Sequence, residues 1–397
     1  CRTGSQDSLQ NPWQGLQEGR AYQFLSEMIM AEEMMLLKSR IIEQGRRLGF
    51  PIIGITGVRS FQTWYEALEK RKELDPEVVK IGDRITATPQ DIMADARAIV
   101  VALYPYTPYF DDFPPGVGTY SAYYREYPRG RKAAAQLAEV IVGEGYDAVV
   151  EPPLPSKAAA YEAGLGWFGR NGLIYTREYG SWIILYLILT NAPLPLDRRS
   201  QQNSLCGNCT LCMEACPTHA ISRDGAVLPG RCLRNYMLTS GFVPTDIRSK
   251  IGNRFLGCDV CQQVCPRNRQ GMLQARLLSD EDIQAFNIFS ILKGWCENDR
   301  KNLEQLADLI GRNYARSQRV LSSAVIIAGN SGDPTYIPFL AKTLGHSYPP
   351  IRGHSAWALG RLGSESGRKI LLEALKTETD ARVIQEIQSA IQRVDCR

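Results

Sequence analysis

The sequence predicts three unlike parts: an α/β domain, a cysteine-rich domain and an all-α helical-repeat tail. Three observations carry this. Short apolar runs alternate with helix-period segments between Leu36 and Thr190. Eight of the eleven cysteines fall between Cys206 and Cys265. After about Asp280 the chain turns to leucines and small residues, with a motif recurring about 32 residues on. The expected boundaries are 1–34 for a tail or non-native extension, 35–200 for the α/β domain, 201–275 for the cysteine domain and 276–397 for the repeats.

Residues 1–27 are polar and aperiodic, which is why they are set apart as a tail. Leu37, Ile41, Ile42 and Leu48 then suit one face of a helix ending near Gly49. Pro51–Ile55 reads as a short strand and Phe61–Leu74 as a helix. The run Ala98–Leu103 is continuously apolar, as in a strand buried on both faces. Tyr104–Tyr127 is rich in Tyr, Pro and Gly and reads as a long loop, a place where function often sits. Arg131–Val142 is helical, Ala148–Val150 strand-like, and Ser156–Ala163 a helix stopped at Gly164. Leu173–Thr176 and Trp182–Thr190 are strands. This alternation makes an α/β layer fold.

In the tail, Ala324–Gly329 followed by Ile337–Leu340 matches Ala356–Arg361 followed by Ile370–Leu372. A helix pair repeated at this period is the pattern of a HEAT-like solenoid. Two copies are too few to stand alone, so they are expected to pack on the preceding domain. A plain helical cap is the other reading.

Composition excludes several classes. Of the 397 residues, 44% are hydrophobic and 22% charged, as in ordinary globular proteins. The net charge of +4, from 46 basic and 42 acidic residues, is too mild to argue for nucleic acid by itself. The longest near-continuous apolar run, Trp182–Leu189, is far short of the roughly 20 residues a membrane helix needs. No membrane association is expected.

The cysteines carry most of the chemistry. Cys206-Gly-Asn-Cys209-Thr-Leu-Cys212-Met-Glu-Ala-Cys216-Pro217 has the C-x2-C-x2-C-x3-C-P spacing of bacterial ferredoxins. In such a run three close thiolates hold one [4Fe–4S] cluster and the fourth turns to a second. Cys258-Asp-Val-Cys261-Gln-Gln-Val-Cys265-Pro266 mirrors it with one cysteine fewer, and Cys232 fills the gap. Eight ligands complete two cubanes. The expected assignment is Cys206, Cys209, Cys212 and Cys265 on one cluster, and Cys216, Cys232, Cys258 and Cys261 on the other. Zinc is the alternative, but zinc sites use separated pairs rather than four thiolates crowded on one turn of chain. Thiolates at ligand spacing in a long chain imply a reducing compartment, hence a cytoplasmic location. Cys1, Cys296 and Cys396 lie outside this set and receive no role.

Two close cubanes move single electrons, and about 165 residues of α/β fold precede them to hold an acceptor. No G-x-G-x-x-G opens a strand–turn–helix, which argues against a nicotinamide site. Gly164-Leu-Gly166-Trp-Phe-Gly169-Arg170-Asn171-Gly follows a helix, and its glycines would let backbone approach a large flat cofactor or a phosphate. A helix cap and turn is the other reading of the same residues.

At these residues the chain resembles a family, the epoxyqueuosine reductases, which are corrinoid-dependent and related to reductive dehalogenases. The resemblance runs from about Leu36 to Arg393. It rests on Ala163-Gly-Leu-Gly-Trp-Phe-Gly-Arg-Asn171, Glu178-Tyr-Gly-Ser-Trp182, the eight cysteines, Ile251-Gly-Asn-Arg254 and Gly257-Cys258-Asp259, with the HEAT-like tail. It implies a corrinoid-binding α/β domain whose clusters feed a base-off cobalamin. That cobalamin would reduce the epoxide of epoxyqueuosine in the tRNA anticodon to queuosine. Gly166, Arg170, Asn171 and Ser181 become the expected cofactor-binding residues. A low-potential donor such as ferredoxin or flavodoxin, a monomeric state and tRNA as partner are implied with it.

Three histidines bear on this. A base-off corrinoid without a protein imidazole needs no histidine ligand, and none of His219, His346 and His354 stands in a D-x-H-x-x-G context. His219 is expected to be structural, His346 and His354 solvated or capping. Arg312, Arg316 and Arg319 could meet phosphates along one helix face, or form a solvated face.

Two segments depart from the family's pattern. Its acidic V-D-S/T segment reads here Val150-Glu151-Pro-Pro-Leu-Pro-Ser156-Lys157, which makes Glu151 the candidate proton donor. A solvated strand-end glutamate is the other reading. Its R-G-R-D-Y-H segment reads Arg129-Gly130-Arg131-Lys132-Ala133-Ala134. Two other functions therefore stay open: a paralogous corrinoid and iron–sulfur reductase with a different acceptor, and a non-enzymatic electron carrier docking through its repeats.

Overall fold

A computed structural model of the chain describes residues 14–78, 84–110, 112–197 and 205–396. Cys1 and the expected 200/201 boundary lie outside the described residues. Helix α1 (Gln14–Arg47) begins well before Leu36, where the sequence pattern turns regular. Its buried face starts only at Met34, Leu37 and Ile41, while Leu25, Met28, Ile29 and Met30 are exposed. The upstream turns have no one-sided apolar stripe, so periodicity does not reveal them.

The first part continues with β1 (Ile52–Gly57), α2 (Gln62–Lys72), β2 (Ala98–Pro105), β3 (Thr119–Tyr120), α3 (Ala122–Val142) and β4 (Ala148–Val150). It closes with α4 (Ser156–Glu162), β5 (Trp167–Phe168), β6 (Ile174–Tyr175) and β7 (Ile183–Thr190). Four strands form one sheet in the order β1-β2-β7-β4, every neighbouring pair antiparallel. Strand β2 is central and buried on both faces, as its apolar run predicts. Ala98, Val100 and Ala102 join one core with Leu37 and Ile41 of α1 and Ala134 and Leu137 of α3. Ile99, Val101 and Leu103 join the other with Ala159 and Ala160 of α4. The period-2 alternation of a strand thus splits one apolar run between two cores.

The expected loop over 104–127 ends earlier than the sequence suggests. Helix α3 starts at Ala122, capped by Ser121, whose hydroxyl accepts the N–H of Tyr123. Pro128 lies inside the helix, where it removes one backbone donor. The helix tolerates it against the sheet: the Tyr186 hydroxyl donates to the Tyr127 carbonyl at 2.6 Å. At Gly130 an added Cβ would stand 2.6 Å from the Tyr186 ring, so a glycine is needed for this close approach. The remaining loop is a fastener. Tyr120 stacks on Phe286 at 3.9 Å and donates to Asp282 at 2.6 Å. Arg125 pairs with the same carboxylate.

The cysteine domain holds α5 (Leu211–Glu214), α6 (Leu233–Leu238), α7 (Thr245–Ile251), β8 (Arg254–Leu256) and α8 (Val260–Gln263). Strand β8 pairs in parallel with β3 and ties this domain to the first. The helical part follows as α9 (Arg269–Leu273), α10 (Asp280–Ala285), α11 (Ile288–Cys296), α12 (Lys301–Ile310) and α13 (Ser317–Ser331). It ends with α14 (Ile337–Thr343), α15 (Pro349–Leu362), α16 (Glu365–Thr377) and α17 (Ala381–Asp395). The pairs α13–α14 and α15–α16 are the two repeats. Corresponding glycines let successive repeats close up: an added Cβ would stand 2.7 Å from Ala358 at Gly329 and 2.7 Å from Ala390 at Gly360.

The repeats pack on the cysteine domain, as two copies alone would require. Asn330 donates to the carbonyls of Arg248 and Gly252 at 2.8 and 3.1 Å. His354 is not solvated. It is fully buried, accepting the Val243 N–H on Nε2 at 3.0 Å and meeting Ser322 Oγ with Nδ1 at 2.7 Å. His346 accepts the Tyr348 N–H on Nδ1 at 2.8 Å in the turn before α15, which has no side-chain cap. Arg312, Arg316 and Arg319 do not share a helix face. Gly311 closes α12, so Arg312 sits in the turn, Arg316 caps α13 and only Arg319 is inside it.

Candidate active site and iron–sulfur centre

The eight cysteines are free thiols, Cys212 and Cys261 on two short helices and the others on the loops around them. Cys206, Cys209, Cys212 and Cys216 surround α5, Cys232 precedes α6, and Cys258, Cys261 and Cys265 surround α8. Their electrostatics sort them. The Cys212 thiol is pushed up by burial, then by Cys206, Cys265 and Cys209. Cys258 is pushed up to about 11, chiefly by burial, with Asp259 and Cys232 adding to it. Cys261 is driven higher by burial, Cys258, Asp259 and Cys232. Cys206, Cys209, Cys212 and Cys265 therefore gather at one place, and Cys232, Cys258 and Cys261 at another.

This donor set fits two cubanes. Among the described residues no three His, Cys, Asp or Glu side chains close on a single ion. Thiolates that each take a different iron of one cluster stand further apart than ligands of one ion. Backbone N–H groups already point at sulfur: Arg170 to Cys206 at 3.4 Å and Ala220 to Cys216 at 3.2 Å. Such bonds tune cluster potentials.

The four expected cofactor residues lie at the seam between the sheet domain and these loops. Arg170 donates to the carbonyls of Arg223 and Gly207 at 2.7 and 2.9 Å. Asn171 donates to the Tyr175 hydroxyl at 3.0 Å and to the Cys261 carbonyl at 3.5 Å. Ser181 donates through its N–H to Asn268 and through Oγ to Gln262, both at 2.8 Å. At Gly166 an added Cβ would stand 2.2 Å from the Tyr175 carbonyl oxygen. That glycine serves the close pairing of β5 with β6.

Sequence reasoning did not single out the wall beside this seam. Lys157 and Arg234 both keep ample accessible surface. Yet the Lys157 amine is held down to about 8, first by burial, then by Arg234 and Arg71. Lys157 donates to the Gly172 carbonyl at 2.7 Å. Arg234 lies over the rings of Tyr123 and Tyr124 at 5.8 and 5.9 Å. Tyr123 in turn stacks with Tyr127 at 5.7 Å.

This wall leads to Glu151, which follows β4 with φ of 52°, a left-handed backbone for a residue with a side chain. Such strain costs of order 1–3 kcal/mol and gathers at functional sites. The conformation is fixed at both ends. The Glu151 N–H donates to the Leu187 carbonyl at 2.8 Å. Tyr127 donates its hydroxyl to Oε1, and Arg131 pairs with Oε2 at 2.7 Å. Both holders come from α3, one turn apart. Tyr127 was hidden because its helix reads as loop, although Tyr123 and Tyr127 stand at the i, i+4 spacing of one face. The same helix explains one departure from the family pattern: Ala133 and Ala134 are buried on the sheet side, while Arg131 faces Glu151.

Paired thiolate sets, joined to a strained acid through Arg234, Tyr123 and Tyr127, define an iron–sulfur oxidoreductase. Residues 205–268 match the 4Fe-4S double cluster binding domain, and residues 303–392 match HEAT repeats. The epoxyqueuosine reductase of Bacillus subtilis is 27% identical over 379 residues, covering 90% of this chain and 95% of that one. A solved Bacillus subtilis epoxyqueuosine reductase, with its catalytic loop swung out of the active site, superposes with a TM-score of 0.76. It is 26% identical, covering 91% of this chain and 99% of that one. An epoxyqueuosine reductase solved with an epoxyqueuosine-modified tRNA stem loop has the same TM-score at 25% identity, covering 91% and 100%. Over nine-tenths of its length the chain is thus similar in sequence and fold to the epoxyqueuosine reductases.

Proposed function

We propose that this chain reduces the epoxide of epoxyqueuosine in tRNA to queuosine. Its eight cysteines would hold two [4Fe–4S] clusters and its cleft a base-off cobalamin. When bound, these groups supply single electrons and a low-potential cobalt centre. The chain's own residues do the rest. Lys157 and Arg234 give the cleft a cationic wall, and Tyr123 an aromatic one. Arg170, Asn171 and Ser181 couple that cleft to the thiolate loops. Removing an epoxide oxygen as water takes two electrons and two protons, and Glu151 is the candidate donor of a proton to that oxygen. The observation that carries the reading is the strained Glu151, joined through Tyr127, Tyr123 and Arg234 to the thiolate of Cys232.

A low-potential ferredoxin or flavodoxin as donor, a single chain as the working unit and a reducing cytoplasm complete the proposal. A paralogous reductase with another acceptor is the second reading. It is favoured by Glu151 and Lys132-Ala133-Ala134 at the two departing segments. The test is anaerobic turnover of epoxyqueuosine-containing tRNA by protein reconstituted with iron, sulfide and cobalamin under a low-potential reductant. Queuosine, read by nucleoside mass spectrometry, is the expected product. No queuosine from protein carrying both clusters and a corrinoid would move the assignment to the paralogous reductase. No corrinoid bound at all would leave an electron carrier.

A further inference from the structure

We infer that Tyr127 and Arg131 are positioning residues that hold the Glu151 carboxylate from one helix. This rests on Glu151 being the proton donor of the proposed reaction. The two partners divide the carboxylate between them. Tyr127 takes Oε1 from a half-buried position, packed on Tyr123, Tyr186 and Tyr314 at ring distances of 5.7, 5.7 and 6.0 Å. Its phenol is pushed up by burial and then by Glu151, so it stays protonated and keeps donating. Arg131 takes Oε2 with a side chain that is 62% exposed.

The consequence follows from atoms alone. With one oxygen held by Tyr127 and the other by Arg131, the carboxylate is fixed in direction while each oxygen keeps a second lone pair that can take a proton. Oε1 lies on the tyrosine cluster and Oε2 beside the exposed Arg131, so Oε2 is the oxygen that exchanges with solvent. The protons and electrons then balance: Glu151 gives one proton to the oxygen leaving carbon and regains one from solvent, a second solvent proton completes the water, and the low-potential donor supplies the two electrons. The groups facing this carboxylate are Tyr123, Tyr127 and Arg131 from α3, Tyr186 from β7 and Tyr314 beyond α12. Arg131 is the only cation among these five.

Removing either holder should loosen the aim of the carboxylate without touching substrate binding. The experiment is kcat and KM for epoxyqueuosine-containing tRNA, in holoenzyme carrying Tyr127→Phe, Arg131→Gln, Arg131→Lys or Glu151→Gln. Iron and corrinoid content and melting temperature are recorded for each, so that loss of fold or cofactor is separated from loss of positioning. In Tyr127→Phe and Arg131→Gln kcat should fall on the order of tenfold to a hundredfold with KM unchanged, and Arg131→Lys should recover part of it. Unchanged kcat in both, with Glu151→Gln inactive, overturns the inference and leaves Glu151 as donor. Full activity of Glu151→Gln overturns the reading beneath it.

Discussion

Arg248 and Glu386 meet in a two-pronged ion pair, Nη1 to Oε2 at 2.9 Å and Nη2 to Oε1 at 2.5 Å, across the junction of the cysteine domain and the last repeat helix. Arg248 is 1% exposed and also donates through Nε to the Val243 carbonyl at 2.7 Å. Truncating Glu386 to Ala strands that guanidinium in the interior. Breaking a buried pair from one side costs about 3–5 kcal/mol, and the partial exposure of Glu386 puts this case at the lower end. The urea midpoint of the Glu386→Ala protein should fall accordingly. A shift corresponding to less than about 1 kcal/mol would show that the pair does not hold the tail.

The neighbouring His354 makes the same junction sensitive to acid. Val243 donates to Nε2, so that nitrogen holds no proton. Burial, then Arg248 and Arg382, keep the ring's protonation well below the ordinary histidine value of about 6.5. The folded state therefore binds fewer protons than the unfolded one. The contribution is present in full above about pH 6.5 and is lost as pH falls below it, at up to about 1.4 kcal/mol per pH unit. Urea unfolding between pH 7.5 and 5 should show this slope, and His354→Asn should flatten it. Equal slopes in the two proteins would assign the acid sensitivity elsewhere.

What could be read from the sequence follows how local each feature is. The cysteine set is legible because ligand spacing along runs of eight and eleven residues is itself the chemistry. The central strand is legible because Ala98–Leu103 is apolar without a break, but its antiparallel neighbours are not, since burial on both faces suits either pairing. His354 is opaque: its two partners are 111 and 32 residues away. Pro128 conceals the start of α3, and with it the Tyr127 contact to Glu151, because local rules make proline a helix breaker. Tertiary packing on Tyr186 overrules that rule here.

Gly180 packs against Arg267 and Asn268, just beyond the second cysteine run. Its φ is 56°, and an added Cβ would stand 2.1 Å from Asn268 Oδ1 and 2.8 Å from the Arg267 carbonyl. Asn268 is itself 1% exposed and accepts the Ser181 N–H three residues beyond Cys265. Gly180→Ala must pay roughly 1–2 kcal/mol for the left-handed backbone and must also displace Asn268. The reconstituted variant should melt lower and release iron to a chelator faster than the parent protein. Iron release at the parent rate would mean that the Asn268 contact does not support the clusters.

The crosswise sharing of cysteines is testable by pairs of substitutions. Cys265 ends the second run, yet its electrostatic neighbour is Cys212 of the first, and it hydrogen-bonds with Tyr175. Cys232 bears instead on Cys258 and Cys261. If Cys265 completes the cluster of Cys206, Cys209 and Cys212, then Cys209→Ser with Cys265→Ser damages one cluster only. Of about eight irons in the parent, about four should remain. Cys232→Ser with Cys265→Ser damages both clusters, and iron should fall toward zero. Simple sequence-order sharing predicts the reverse, because Cys232 and Cys265 would then belong to one cluster. Iron analysis with electron paramagnetic resonance of the reduced proteins decides between the two. Four irons left in the Cys232, Cys265 double variant would reject the crosswise arrangement.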